Sequence, residues 1–156
     1  MDSDWASSFS CSGAYFMFMG CPFHWFSKMQ HSISLSSAEA EFFGAMLALK
    51  EVIFFRELLV VLKLLSKGAT MIHTDSSSAV ALSLDHVLFK QSKHILRAAE
   101  FLRDSVARRV ASLRHLPGRF MIADILTKSL ARSTFTKIIQ RIREYPVAGV
   151  AVAEEP

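Results

Sequence analysis

The sequence predicts a mixed α/β fold, in which a sheet opens with antiparallel strands, gains parallel ones later and is flanked by helices. Three observations carry this. Two aromatic runs near the N-terminus are separated by Gly20-Cys21-Pro22, a turn signal. A long apolar helical pattern then follows Ser36-Ser37-Ala38-Glu39, an S-x-x-E capping box. The second half alternates strand-like and helix-like stretches, the order that builds α/β sheets. With 156 residues, 51% hydrophobic and 21% charged, the chain has the size of one domain and enough apolar surface to offset folding entropy. The reading is one domain over 1–145, with a small acidic tail over 146–156 expected to be disordered.

The elements follow in order. Residues 13–20 form a glycine-bounded aromatic run that reads as a strand, and residues 22–27 read as its partner. Trp5, Trp25 and Phe26 read as core. Ser36 would cap the N–H of Glu39, and the helix is expected to run over 36–65. That helix is apolar on more than one face, which demands burial or a covering partner. Residues 69–74 read as a strand ending at Asp75, 76–84 as a short helix, and 91–108 as a third helix. Residues 110–116 alternate as a strand, Pro117-Gly118 turns the chain, and helical stretches follow over 121–130 and 134–143.

Composition removes several classes of function. Two cysteines, Cys11 and Cys21, are too few for a disulfide scaffold or a four-cysteine zinc site. They read as two buried thiols in a reducing compartment. The start Met1-Asp2-Ser3-Asp4 is acidic where a secretory signal is basic. Arg56, Glu57 and Lys63 interrupt the most apolar stretch, short of the ~18 apolar residues of a membrane span. The expectation is an intracellular protein, cytoplasmic or nuclear, with no membrane partner. Charge is uneven: residues 1–85 hold five Lys/Arg against eight Asp/Glu, and residues 86–156 hold thirteen against six. A basic second half fits a polyanionic partner, and it equally fits a solvated basic face.

Four carboxylates stand where an acidic site at a sheet rim would need them: Asp2 in a candidate first strand, Glu41 near a helix start, Asp75 at a strand end and Asp124 near a late helix start. Taken singly, each is more often a cap or a solvated charge, and Asp75 before three serines reads as a helix cap. Together they would repel unless divalent cations neutralised them, and oxygen-only ligation suits Mg²⁺ or Mn²⁺. Glu41 lies roughly 200° round the helix from Glu39 and shares a face with Ala45, Ala48 and Val52, a face suited to packing on a sheet. Glu39 is therefore assigned to the cap and Glu41 to the site. Lys93, His94, Arg97, Arg114, Arg119 and Lys128 are candidates for phosphate contact, with a solvated basic surface as the alternative. His73 and His115 read as structural.

Several blocks then carry a resemblance. Phe26-Ser27-Lys28-Met29-Gln30, Ser34 through Phe42, and Lys50-Glu51 look like the block "W-x-S-K-K-Q … S-L-S-S-A-E-A-E-Y … K-E". Asp75-Ser76-Ser77-Ser78-Ala79-Val80-Ala81-Leu82 is similar to "D-N-Q-S-A-I-x-L", Ser92-Lys93-His94-Ile95 to "T-K-H-I", and Ala123-Asp124-Ile125-Leu126-Thr127-Lys128-Ser129-Leu130 to "A-D-I-L-T-K-x-L". Asp2-Ser3-Asp4-Trp5-Ala6 is similar to "D-A-D-W-A-G". In this order, from residue 2 to about 143, the blocks resemble the RNase H domain of copia-type LTR-retrotransposon Pol polyproteins. The resemblance implies the RNase H-like fold, a five-stranded mixed sheet flanked by helices, and cleavage of the RNA strand of RNA–DNA hybrids with two Mg²⁺ (or Mn²⁺) ions. It implies Asp2, Glu41, Asp75 and Asp124 as the metal-binding catalytic acids. It further implies a hybrid-binding surface including Lys93, His94, Arg97, Arg119 and Lys128, and the reverse transcriptase part of the same polyprotein as a partner.

The chain departs from the family pattern in four places, one of them Leu88-Phe89-Lys90-Gln91, which stands where the family has a basic, His-containing segment. It starts at Met1, so the first strand is expected to be truncated. The segment after Trp5 is short, and Leu96 stands where an aspartate usually follows K-H-I. The alternatives are therefore a catalytically inactive RNase H-like module that binds nucleic acid or packs in a polyprotein, and a helical interaction protein built on 36–65.

Overall fold

The computed structural model describes residues 11–30, 37–64, 68–84 and 93–144. Strands β1 (Cys11–Phe18) and β2 (Cys21–Met29) form an antiparallel hairpin. Its turn is Met19-Gly20, both with positive φ (51° and 80°), which matches the right-handed twist of the flanking strands. The turn thus falls one residue earlier than the sequence predicts. Cys21 and Pro22 belong to β2, and Pro22 is tolerated there because β2 is an edge strand with a register shift opposite Phe16/Met17. The period of two sends Phe26 inward and leaves Trp25 60% exposed, so Trp25 is not core. Trp5 lies outside the described residues. Cys11 pairs with Met29 and Cys21 with Phe18, at opposite ends of the hairpin; both thiols are free and half-buried.

Helix α1 spans Ser37–Val61. The predicted capping pair, Ser36 with the Glu39 side chain, lies outside the described residues. Phe42, Ala45, Met46, Ala48, Leu49 and Val52 are buried and form the spine of the core. The last turns differ: Phe54, Leu58, Val60 and Val61 are exposed, because the packed elements end below them. The apolar girth read in the sequence is thus half core and half open surface. Arg56 ties this end down, its Nη1 donating to the Gly68 carbonyl (2.9 Å) and to Thr70 Oγ1 (3.0 Å).

Strand β3 (Thr70–Thr74) leads through α2 (Ser77–Leu84) and α3 (Lys93–Ala107) to β4 (Ala111–His115), which pairs with β3 in parallel. A helical crossover is what a parallel neighbour requires. Two 3-10 helices follow, Gly118–Phe120 and Ile122–Leu126, where the sequence predicts one α-helix over 121–130. Helix α4 (Arg132–Glu144) closes the described chain. The 146–156 tail lies outside the described residues.

A single five-stranded sheet is what the family resemblance implies. The described residues form two separate two-stranded sheets, β1-β2 and β3-β4. No described segment lies between β1 and β3 to join them. Helix α1 packs on both strands and so spans the gap. Leu102 on α3, Ile72 on β3, Ala79 on α2 and Ala111 on β4 complete the core around Phe42 and Leu49. The mixed α/β class predicted from the sequence is observed, and four described strands exclude a purely helical module. Among the described residues, no helix is long and apolar enough to cross a membrane.

Candidate functional site

The gap between the two sheets is a cavity of about 1200 Å³. Consecutive residues of β1 (Cys11 to Met17) and of β3 (Thr70 to Thr74) line it, so it is bounded by the unpaired edges of both strands. Its roof is a stripe of α1: Ala40, Glu41, Gly44, Ala45, Ala48 and Val52. These recur at three- and four-residue steps and share one helix face. The face that the sequence assigns to Glu41, Ala45, Ala48 and Val52 is therefore the face turned to the cavity.

Small residues bring α1 down onto β1. A Cβ on Gly44 would lie 3.6 Å from Ser12 Oγ. The buried Gln30 amide fixes the helix start, its Nε2 donating to Ser12 Oγ (2.6 Å) and to the Ala40 carbonyl (2.9 Å). One residue after Ala40, Glu41 is exposed to the cavity.

Asp75 follows β3 directly and lines the same cavity. The cap of α2 is Ser76, whose buried Oγ accepts the N–H of Ala79 at 3.1 Å. Ser76 N–H in turn donates to Thr74 Oγ1. The helix-cap reading of Asp75 thus gives way to Ser76, and the Asp75 carboxylate stays exposed.

Asp124 sits in the second 3-10 helix, which packs on the other face of β1. Ser27 Oγ donates to the Leu126 carbonyl (2.7 Å), pinning this helix to β2. The Asp124 side chain is only 16% exposed, lines the cavity, and pairs through Oδ2 with Lys128 Nζ at 2.9 Å.

Three of the four predicted acids, from positions 41, 75 and 124, therefore line one cavity. Asp2 lies outside the described residues. Carboxylate oxygens suit a hard divalent cation. Among the described residues, however, no three His, Cys, Asp or Glu side chains approach closely enough to hold a metal ion. The three described acids share a chamber without forming a ligand cage, and one of them carries an ammonium.

The predicted nucleic-acid contacts divide. Lys128 is the partner of Asp124 at the cavity wall. Arg119 lies on the first 3-10 helix with its guanidinium carbon 4.9 Å from the Phe120 ring centroid. Arg97 is exposed on α3 and does not line the cavity. The Lys93 and His94 side chains lie outside the described residues. The sequence reading missed Arg141 and Phe120, both lining the cavity. For Arg141 the sequence signal was the basic bias of the second half, which does not single out a residue, and Phe120 carried none.

No family model matches the chain, and no solved structure matches it. Curated proteins do. The chain is 28% identical over 145 residues to the retrovirus-related Pol polyprotein from transposon RE1 of Arabidopsis thaliana, covering 90% of this chain and 10% of that protein. The polyprotein from transposon RE2 of the same plant gives the same identity and coverage. The polyprotein from transposon TNT 1-94 of Nicotiana tabacum is 32% identical over 126 residues, covering 81% of this chain and 9% of that protein. The chain thus spans about a tenth of the length of these relatives. These similarities relate the chain to retrotransposon Pol polyproteins and support a retrotransposon Pol origin for it.

Proposed function

We propose that this chain is an RNase H-type nuclease domain of retrotransposon origin, acting on the RNA strand of RNA–DNA hybrids. The observation that carries the reading is the shared cavity: acids at 41, 75 and 124, on three different elements, face one chamber at the edges of two half-sheets. The reading requires a strand carrying Asp2 between β1 and β3, which would join the two pairs into a five-stranded mixed sheet of the RNase H-like kind. The cavity of about 1200 Å³, flanked by two unpaired strand edges, supports that requirement.

In this reading Asp2, Glu41, Asp75 and Asp124 would together hold two Mg²⁺ ions. Such ions lower the pKa of a water and stabilise the leaving oxygen of a phosphodiester. The chain's own contribution is positioning. Gln30 sets the height of Glu41 over β1, Ser76 frees Asp75 by taking the cap, and Ser27 anchors the helix that bears Asp124. Lys128 neutralises Asp124 and would have to yield it to a cation.

That ion pair also favours a second reading, a catalytically silent module that binds hybrid within a Pol polyprotein. One assay separates the two. Hybrid with labelled RNA is incubated with the chain, and with a version extended upstream of Met1, with and without Mg²⁺. The nuclease reading expects Mg²⁺-dependent cleavage that drops at least a hundredfold in Glu41→Gln and Asp75→Asn. Cleavage that persists when both substitutions are present overturns it. Salt-dependent hybrid binding without cutting by either version selects the silent module.

A further inference from the structure

Two arginines converge on Phe120 beside the cavity; Phe120 and Arg141 line it, and Arg119 does not. The guanidinium carbons of Arg119 and Arg141 each lie 4.9 Å from the centroid of the Phe120 ring. Arg141 Nη1 donates to the Arg119 carbonyl at 3.0 Å, which ties α4 to the first 3-10 helix. Phe120 is two-fifths exposed, and it lines the cavity together with Arg141, Asp75 and Asp124. The segment also abuts Asp75, since a Cβ on Gly118 would lie 3.8 Å from Asp75 Oδ2.

The electrostatics of this arrangement are incomplete. Neither arginine has a carboxylate partner among the described residues. Two like charges held on one ring repel each other, and cation–π attraction offsets that only in part. An anion shared between them removes the repulsion. A guanidinium is planar, stays charged at any working pH, and presents paired N–H donors that match phosphate oxygens. A nucleic-acid strand supplies such an anion: one phosphate is held by the arginines while the next bond along reaches the acids.

We propose that Arg119 and Arg141, braced on Phe120, form a clamp for a single backbone phosphate of a nucleic-acid strand entering the acid-lined cavity. The clamp rests on the nucleic-acid reading above, but not on catalysis. It names Arg141, on the last described helix, as a strand-positioning residue.

The test is binding of a fluorescent RNA–DNA hybrid to the full chain in EDTA, across a salt series. Arg119→Gln, Arg141→Gln and the double variant are compared with Arg108→Gln, an exposed residue that pairs with Asp104 and does not line the cavity. Because one phosphate is shared, each single Gln variant is expected to lose most of what the double variant loses, about tenfold at low salt. The slope of log K against log salt should fall by about one in the double variant, the signature of one lost phosphate contact. Arg141→Lys keeps the charge but not the fork, so it should keep the slope and lose affinity by about threefold. Thermal midpoints within a few degrees of the parent show that the variants are folded. The clamp is overturned if the double variant binds with unchanged affinity and slope, if the two Gln substitutions act additively or no more strongly than Arg108→Gln, or if the parent chain does not bind hybrid at low salt. Absence of Mg²⁺-dependent cutting by a chain that binds through the clamp counts against the nuclease reading alone.

Discussion

Thr127 rests on Gly13: a Cβ at Gly13 would stand 2.7 Å from Thr127 Cγ2 and 2.9 Å from Leu126 Cβ. The 3-10 helix that bears Asp124 therefore seats on β1 only because residue 13 has no side chain. Gly13→Ala should push this helix outward and cost about 1–3 kcal/mol, as overpacking does. Gly44→Ala should behave in the opposite way. Its Cβ meets Ser12 Oγ only at 3.6 Å, an ordinary contact. An alanine in mid-helix recovers up to about 1 kcal/mol of propensity. Urea unfolding of the two variants checks the contrast in sign.

Gln30 links β1 and the start of α1 through two donated hydrogen bonds. Gln30→Leu leaves the buried Ser12 hydroxyl without that donor, at a cost of about 1–3 kcal/mol. It also releases the turn that carries Glu41. Chemical denaturation should register the first effect. In the nuclease reading, a lower apparent affinity for Mg²⁺ in the cleavage assay should register the second.

Lys128 is half exposed in its pair with Asp124. Its partner carboxylate is only 16% exposed, so Lys128→Gln should lower the melting temperature and cost more than an exposed pair's ~0–1 kcal/mol, about 1–3 kcal/mol for the carboxylate left without that donor. In the nuclease reading the same substitution removes the competitor for Asp124. The Mg²⁺ concentration giving half-maximal cleavage should then fall, which a metal titration measures.

Core and surface on α1 should separate cleanly. Leu49 is fully buried beside Phe42, and Leu49→Ala is expected to cost about 2–5 kcal/mol. Val61 is 77% exposed at the far end of the same helix. Val61→Ala should fall within about 0.5 kcal/mol of the parent. Both follow from the denaturant midpoint.

The sequence carried the elements well where local chemistry dictates them. Aromatic alternation located β1 and β2, and Ser76 marked the start of α2. It missed where a non-local constraint decides. Met19 takes a positive φ to close the hairpin, so the turn precedes Pro22 rather than centring on it. Trp25 is apolar yet exposed, because an edge strand has an outer face that no pattern of residue types reveals. Residues 121–130 read as α-helix, but seating Leu126 against Ser27 and Thr127 over Gly13 leaves a tighter 3-10 turn. For the site, Glu41 was legible because its helical stripe of small residues is periodic. Arg141 was not, since nothing in the sequence shows that it meets Phe120.

Helix α1 packs on both two-stranded sheets, through β1 and through β3. The hairpin's ladder is closed by neighbours in the chain, whereas the β3–β4 ladder is closed across two intervening helices. Amide exchange should therefore resolve two cooperative tiers: hairpin protons that escape through a local, sub-global opening, and β3–β4 protons that wait for loss of the Leu49 and Leu102 packing. A splint of this kind lets one wall of the chamber breathe while the other stays shut.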